Sequence, residues 1–537
     1  MVETADVKIC SSPSRLWQLL LISIMFIAAF GIRLYGIASP PLNFHPIRQY
    51  HSFIVARGYY FEHIQSLPDW RRQIAAINAQ SAPTAEPRIM EHLAYWGYRI
   101  IGGEHFWIPR LFSCVFWLIG GGFLHLLARK LIPPDGAWFA AAFYLFVPYG
   151  IFASQSFQPD PMMVMMMLIG IYAIWQYFDR PSILRLIIAA VACACAVFIK
   201  PVCVFIIFAG FISLAYCEKQ TRKPLARPDF WLFATITLIP TVIYCLWGLF
   251  ISDFLAGQPK LQFRPYLILS LPYWLGWLKQ IGLTVGVPAF IAAALAILLF
   301  SRGRPRALLI GLWLGYLVYG LVFSYAIHTH NYYQMPFIPV VALGLAAICS
   351  YAVKRLRRMS TVSHLVMMSI GLLLVILLFM MYNIINGKYE RIKFSPNTIR
   401  KAESFCRLVG IDNNFLERLR KDYTSQVKIA EQIGQTVNHS INTISLEYHN
   451  GRFLNYHGQI SGRYWPTLAD IHHYRTAPGG KITTEKRFNL WLSKCPFEYF
   501  IVTNFQEFDR QPDLKKLLNQ KYPILVQNDN YLIFDLR

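Results

Sequence analysis

The sequence predicts a polytopic α-helical membrane protein, with about 11 transmembrane helices and a small α/β soluble domain at its C-terminus. Composition gives the first reason: of 537 residues, 55% are hydrophobic and only 15% charged, against about 25% charged in ordinary soluble domains. The second is that the apolar residues come in blocks near the roughly 20 residues that a helix needs to cross the bilayer core. The third is a change of character near residue 387, where charge rises and the apolar runs shorten.

The blocks place helices near 16–36, 107–128, 136–153, 160–178, 185–199, 201–217, 230–252, 279–300, 306–326, 335–353 and 364–386. The first block is long and no small-residue cleavage site follows it, so it reads as a retained signal anchor. Alternate connections are rich in Lys and Arg: Arg129 and Lys130, Arg180 and Arg185, then clusters in 219–227, 302–306 and 354–358. The intervening connections 154–159 and 327–334 carry none, and 253–278 carries only Lys260 and Arg264. Basic residues stay on the cytoplasmic side. This pattern puts the N-terminus inside and the C-terminal domain, 387–537, outside. It also accounts for the net charge of +23 without nucleic acid, since no basic groove segment with interleaved aromatics occurs.

The first outer segment, 37–106, is too structured for a linker. Residues 47–66 and 88–101 mix aliphatic, aromatic and cationic side chains at helical spacing. Helices lying flat at the membrane interface have this composition, as do ordinary helices packed on the membrane domain. Either way the segment caps the outer face. In the C-terminal domain, 412–435 and 512–520 read as helices and 442–448 and 498–504 as strands. Residues 523–527 and 531–535 flank Asn528-Asp529-Asn530 as a hairpin. Most of the ten cysteines lie in apolar blocks, among them Cys114, Cys193, Cys195, Cys203, Cys245 and Cys349, where they act as small hydrophobes. Cys406 and Cys495 fall in the outer domain, where a disulfide is permitted and two free thiols are equally compatible. No CxxC pair or Cys/His ligand spacing points to zinc.

Ionisable residues beside a membrane interior are costly and mark function by default. Here they gather in connections assigned to one side: His45, Arg48 and His51; Glu86, Arg88, Glu91 and His92; Gln155, Gln158 and Asp160; Lys200; and His328, His330, Tyr332 and Tyr333. Each has a plain structural use. Asp160 opens a helix and would serve as its N-terminal cap, Lys200 would snorkel, the tyrosines would sit at the interface, and the histidines would be solvated. The HxH pair lacks an apparent third metal ligand. Together the groups form an outward-facing site at the membrane boundary.

At these residues the sequence resembles the GT-C superfamily of membrane glycosyltransferases, in the protein O-mannosyltransferase-like branch that includes bacterial aminoarabinose transferases acting on lipid A. The long outer loop is one shared feature. Glu86-Pro87-x-x-x-Glu91 followed by GGEHFWIPRLFS (102–113) is similar to the family's P-P-L…G…R-L-P-S segment. SQSFQPDP (154–161) is similar to its polar turn ending in P-D, Lys200-Pro201 to a T-K at a helix end, and HTHNYYQMPFIP (328–339) to Y-Y-x-x-P-x-x-P. The resemblance implies sugar transfer from a polyprenyl-phosphate carrier to a lipid, glycan or protein acceptor on the outer face of a plasma membrane, a bacterial inner membrane by analogy. It implies a base for the acceptor hydroxyl and cations for the departing phosphate. Lys200 is the foremost phosphate contact, Arg48 and Arg88 are further candidates, and Gln158 with the 328–333 segment holds phosphate or sugar. The family's acidic residue just after the first helix is missing from NFHPIRQYH (43–51). His45, Glu86 or Asp160 can each take the base role, and the acceptor class stays open. No cofactor is implied, and a divalent cation is compatible but not indicated. The rival readings are a transporter or flippase, a ligase for lipid-linked glycans, and a non-catalytic envelope assembly protein. The absence of an inverted repeat and of mid-helix polar residues weighs against transport.

Overall fold

The structure is a computed structural model and describes residues 15–82, 86–218, 224–255, 263–357, 423–475 and 482–537. Helix α1 (Arg15–Leu34) leads into three helices of the long loop: α2 (Pro46–Glu62), α3 (Asp69–Ser81) and α4 (Ile89–Ile101). There follow α5 (Trp107–Leu131), α6 (Pro134–Phe146), α7 (Pro148–Ala153), α8 (Asp160–Asp179), α9 (Ile183–Ile199), α10 (Val204–Cys217) and α11 (Pro228–Phe250). Then come α12 (Leu271–Thr284), α13 (Val287–Leu295), α14 (Arg304–Val322), α15 (Ser324–Thr329) and α16 (Ile338–Arg357). Ten of the expected spans thus fall on helices. The eleventh, 364–386, lies outside the described residues, as do Cys406 and the expected domain boundary. By length and composition, five described helices can cross a membrane, or six if a bent pair is one span.

That pair corrects the expectation of one straight helix over 279–300. α12 and α13 meet at 95°. Gly286 between them has φ +83, which favours glycine, and Pro288 in the first turn of α13 removes a helical N–H. Around the bundle, large apolar side chains face outward, among them Leu184, Ile188 and Val191 on α9 and Ile243, Leu246 and Phe250 on α11. Such rows are a liability in water and cost nothing against lipid. Inward faces use small residues to bring backbones together. A Cβ at Gly315 of α14 would lie 2.6 Å from the Phe205 carbonyl of α10, and one at Gly170 of α8 2.5 Å from Cys193 Sγ of α9.

The cap divides the expectation for the outer segment. α4 leaves Trp96, Ile100 and Ile101 exposed, as an interface-lying helix should. α2 does not lie on a surface: ten of its residues are buried, because protein surrounds it. Residues 423–537 contribute α17 (Thr424–Thr436), α18 (Arg452–His457), α19 (Leu468–Arg475), α20 (Thr484–Leu492), α21 (Phe505–Asp509) and α22 (Pro512–Lys521). They also form a five-stranded sheet in the order β2-β1-β3-β5-β4. Its strands are β1 (Thr443–Leu446), β2 (Gly462–Tyr464), β3 (Tyr499–Val502), β4 (Ile524–Gln527) and β5 (Leu532–Asp535). β1 pairs in parallel with β2 and β3, while β5 runs antiparallel to β3 and β4. The expected β4–β5 hairpin is present, with Asn528 Oδ1 accepting from the Asn530 and Tyr531 amides at 2.8 and 2.9 Å.

This domain packs on α2 and α3 through α18 and the residues just after it, 459–460. Tyr50 Oη lies 2.9 Å from His457 Nε2, Asn78 donates to the Ile460 carbonyl at 2.9 Å, and Arg71 to Gln459 at 2.7 Å. Arg57 pairs with Glu104 at 2.9 Å and sits 3.4 Å from the Tyr456 ring centre.

Candidate active site

Two chain breaks aim two opposite charges at one point. α9 ends where Lys200 turns extended (φ −157) ahead of Pro201, whose ring disfavours helix at the residue before it. α8 begins at Asp160 between Pro159 and Pro161. Pro159 occupies the N-cap position and Asp160 Oδ2 accepts no hydrogen bond among the described residues, so the simple cap role is not what Asp160 performs. Its Oδ1 accepts from Lys200 Nζ at 2.7 Å instead, with the two side chains 1% and 2% exposed. Burying two charges is expensive, and losing either partner leaves the other uncompensated.

Two more charges close the network. Arg48, on the first turns of α2, reaches Glu86 at 3.1 Å and Asp160 at 3.8 Å, and Lys200 reaches Glu86 at 3.4 Å. Two cations and two carboxylates alternate around this quartet. Burial acts to raise the Glu86 pKa, but Arg48 and Lys200 outweigh it and hold the carboxyl to about 2. Burial likewise opposes the charge on Arg48, and Glu86 overcomes it, raising the pKa above the ordinary value. Tyr332 and Tyr333, in the tight turn Asn331–Phe337, lie beside the cations. Arg48 Cζ is 4.6 Å from the Tyr332 ring centre, and Lys200 Nζ is 5.1 and 4.8 Å from the two rings, within cation–π range.

Two spaces meet at the quartet. On one side is a mainly apolar groove of about 280 Å³, lined by Phe198, Val202, Leu249, Phe263 and Phe323 and reaching Lys200, Tyr333 and Glu86. On the other is a polar cavity of about 200 Å³ lined by Arg48, His51, Glu86, Arg88, Glu91, Gln158 and Arg452. Glu86 and Pro87 border both.

Of the residues singled out in the sequence, Arg48, Glu86, Asp160, Lys200, Tyr332 and Tyr333 come together. Arg88 and Gln158 line the polar cavity. Arg88 bonds Tyr59 Oη at 3.3 Å and the Ala82 carbonyl at 3.0 Å, and Gln158 Nε2 lies 3.8 Å from Met335 Sδ. His45 lines neither space. It has φ +41, its Nε2 lies 2.7 Å from Asn331 Oδ1, and its ring packs edge-on to Tyr332. His330 borders the tyrosine pair, 5.4 Å from the Tyr332 ring, with its pKa lowered to about 4 by burial and then by Arg48 and Lys200. His328 departs from the expected cluster. Its Nδ1 lies 2.7 Å from the Ser324 carbonyl and its ring packs on Tyr273. The turn at His330 sends the two histidines to different neighbours.

Two buried arginines were not singled out as site residues in the sequence, although Arg110 lies in the quoted stretch 102–113. Arg33 donates to Ser154 Oγ and to the Ala29 and Leu145 carbonyls. Arg110 donates to the carbonyls of Gly36, Ile37, Ser39 and Gln155. Gln155 returns bonds to the Arg33 and Tyr35 carbonyls at 2.6 and 2.7 Å. These bonds tie the end of α1 to the turn that presents Asp160. Their signal was a cation inside or beside an apolar block, which is rare without a partner.

A family model described as dolichyl-phosphate-mannose-protein mannosyltransferase matches residues 86–247. Compared by sequence with curated proteins, the chain has no match. Among solved structures, ArnT from Cupriavidus metallidurans bound to undecaprenyl phosphate is similar with a TM-score of 0.55 at 15% identity, over 97% of this chain and 98% of that one. Its apo form gives 0.55 at 14% identity, over 98% of each chain. The Archaeoglobus fulgidus oligosaccharyltransferase tethered to an acceptor peptide gives 0.51 at 11%, over 91% of this chain and 69% of that one. The fold of this chain is therefore similar to that of ArnT, and the family-model match falls on the stretch that supplies Glu86, Asp160 and Lys200.

Proposed function

We propose that the protein transfers a sugar from a polyprenyl-phosphate carrier to an acceptor hydroxyl at the outer face of a plasma membrane, a bacterial inner membrane by analogy. One observation carries this reading: a charge network with the Lys200–Asp160 pair buried at its centre lies where an apolar groove and a polar cavity meet. A lipid-linked sugar has that same division. The head-proximal end of the lipid tail suits the groove, and its phosphate suits Lys200 and Arg48. The sugar then faces Glu86, with the acceptor in the cavity beyond. The similar ArnT fold was solved with undecaprenyl phosphate, which supports a lipid phosphate as the ligand class.

The chemistry follows from these positions. The acceptor oxygen attacks the anomeric carbon, the bond from that carbon to the phosphate oxygen breaks, and polyprenyl phosphate leaves with the bonding pair. The acceptor proton passes to a carboxylate. Glu86 suits that role because it borders both spaces, while Asp160 stays paired with Lys200. As long as both cations hold Glu86, it is a poor base. An arriving phosphate competes for the same cations, releases Glu86 and lets its basicity rise. Arg48 and Lys200 then stabilise the charge that develops on the leaving phosphate. His45 braces Asn331 and Tyr332.

The test is transfer of labelled sugar from a polyprenyl phosphate by the full-length protein reconstituted in lipid. Lys200→Gln alone strands Asp160, so it is paired with the charge-neutral double variant Lys200→Gln/Asp160→Asn. Transfer by the wild type and loss in the folded double variant are expected. Movement of the lipid across the bilayer with no glycosidic bond formed would favour the transport reading instead.

A further inference from the structure

Among the described residues, Arg452 is the one lining residue of the polar cavity that the C-terminal domain supplies. Its Nε is buried without a hydrogen-bond partner, and none of the ion pairs among the described residues includes it. A nitrogen in that condition has lost hydration with nothing in return, while the side chain as a whole is half-buried. Burial lowers its pKa, the direction expected of an uncompensated charge.

The cavity's own carboxylates do not answer it. Three guanidiniums, those of Arg48, Arg88 and Arg452, face two acids, Glu86 and Glu91. Glu86 is already shared by Arg48 and Lys200. Glu91 accepts from Ser52 Oγ at 2.6 Å, and burial pushes its pKa up, which makes it the weaker counter-charge. His51 senses the excess: burial first, then Arg452, Arg48 and Arg88, bring its pKa down to about 3. It is therefore a neutral hydrogen-bonding group in a positive field.

We propose that this cavity is a subsite for an oxyanion carried by the acceptor, a carboxylate or a phosphate monoester, with Arg452 as its principal contact and His51 and Arg88 beside it. The inference rests on the transfer reading, since it places the acceptor on the side of Glu86 away from the groove. It gives the C-terminal domain a role in acceptor choice: a neutral acceptor would leave Arg452 without a partner. A guanidinium gives a planar pair of donors to either oxyanion.

The experiment uses the full-length protein in lipid nanodiscs and three sugars as probes, titrated calorimetrically: glucose 6-phosphate, methyl glucuronide and methyl glucoside. The phosphate sugar, the carboxylate sugar or both are expected to bind, and the neutral glucoside is not. Which of the two binds identifies the anion. Arg452→Gln is expected to weaken anion binding about tenfold or more, the scale of one charge-assisted hydrogen bond, with Arg452→Lys between the two. Polyprenyl monophosphate binding serves as the control and is expected to be the same in wild type and Arg452→Gln. The proposal is overturned if neither anionic sugar binds, if the glucoside binds equally well, or if Arg452→Gln binds like wild type. If the wild type fails to bind polyprenyl monophosphate, the donor reading fails, and that outcome is distinct from the other three.

Discussion

Glu86 sits between Arg48 and Lys200, the two cations proposed to take the lipid phosphate, and this makes its behaviour the sharpest single-residue consequence of that proposal. Within the quartet its pKa is held near 2, below the ordinary carboxylate range. A depressed carboxyl stabilises the fold above its unfolded pKa, and that contribution is lost as pH falls through the folded value. Turnover should follow a different value. Once phosphate holds Arg48 and Lys200, Glu86 loses its counter-charges. The acid limb of the kcat profile is then expected at or above the ordinary glutamate value of about 4.3, well above 2. Glu86→Gln is expected to remove that limb and lower kcat by about 10² to 10⁴, the usual worth of a general base. A variant that keeps both rate and acid limb assigns the base elsewhere. At this scale much was legible in the sequence, because Asp160 and Lys200 stand at the ends of apolar blocks where charge needs a reason. Arg452 was not. Its meaning depends on α18 docking against α2, and nothing local in HNGRFLNYH (449–457) marks a cavity wall.

Among the elements, the seam between α2 and the C-terminal domain carries its own pH dependence. Burial brings His51 and His457 down to about 3 and His449 to about 4, each from an ordinary 6.5. The folded seam keeps them neutral while an unfolded chain takes up protons below about 6.5, so acidification from 6.5 towards 4 works against docking. Glu447 opposes this. Burial raises it to about 7, so its folded form binds a proton first and gains as pH falls. Three groups against one decide the sign, and the seam should loosen in acid. Limited proteolysis of the full-length protein should cut residues near the seam faster at pH 5 than at pH 7.5, and equal or slower cutting would contradict this. Helices were legible because length and apolarity suffice to predict them. The bend at Gly286 was not, since a Gly-Val-Pro run within apolar sequence reads as one span until φ is known. β2 was missed because three residues, Gly462–Tyr464, are too few to show alternation. The aromatics and cations of α2 suit an interface helix and a packed one alike, and the docked domain that covers them decides for packing.

Over the whole molecule, the loops and the bundle converge on one boundary between an oily space and a wet one. Residues from α2, the segment before α4, the start of α8, the end of α9 and the turn before α16 meet within a few ångströms. Sequence assigned them to one side by counting Lys and Arg in alternate connections, and the convergence agrees with that shared side. What sequence did not contain is the balance of charge in the quartet, which needs distances. That balance is the central claim: the cations are a phosphate site held closed by a carboxylate. The most direct measurement is the affinity of polyprenyl monophosphate for the full-length protein in nanodiscs, compared among wild type, Glu86→Gln and Arg48→Gln. Tighter binding by Glu86→Gln and weaker binding by Arg48→Gln is the expected result. Glu86→Gln binding no better than wild type would contradict it.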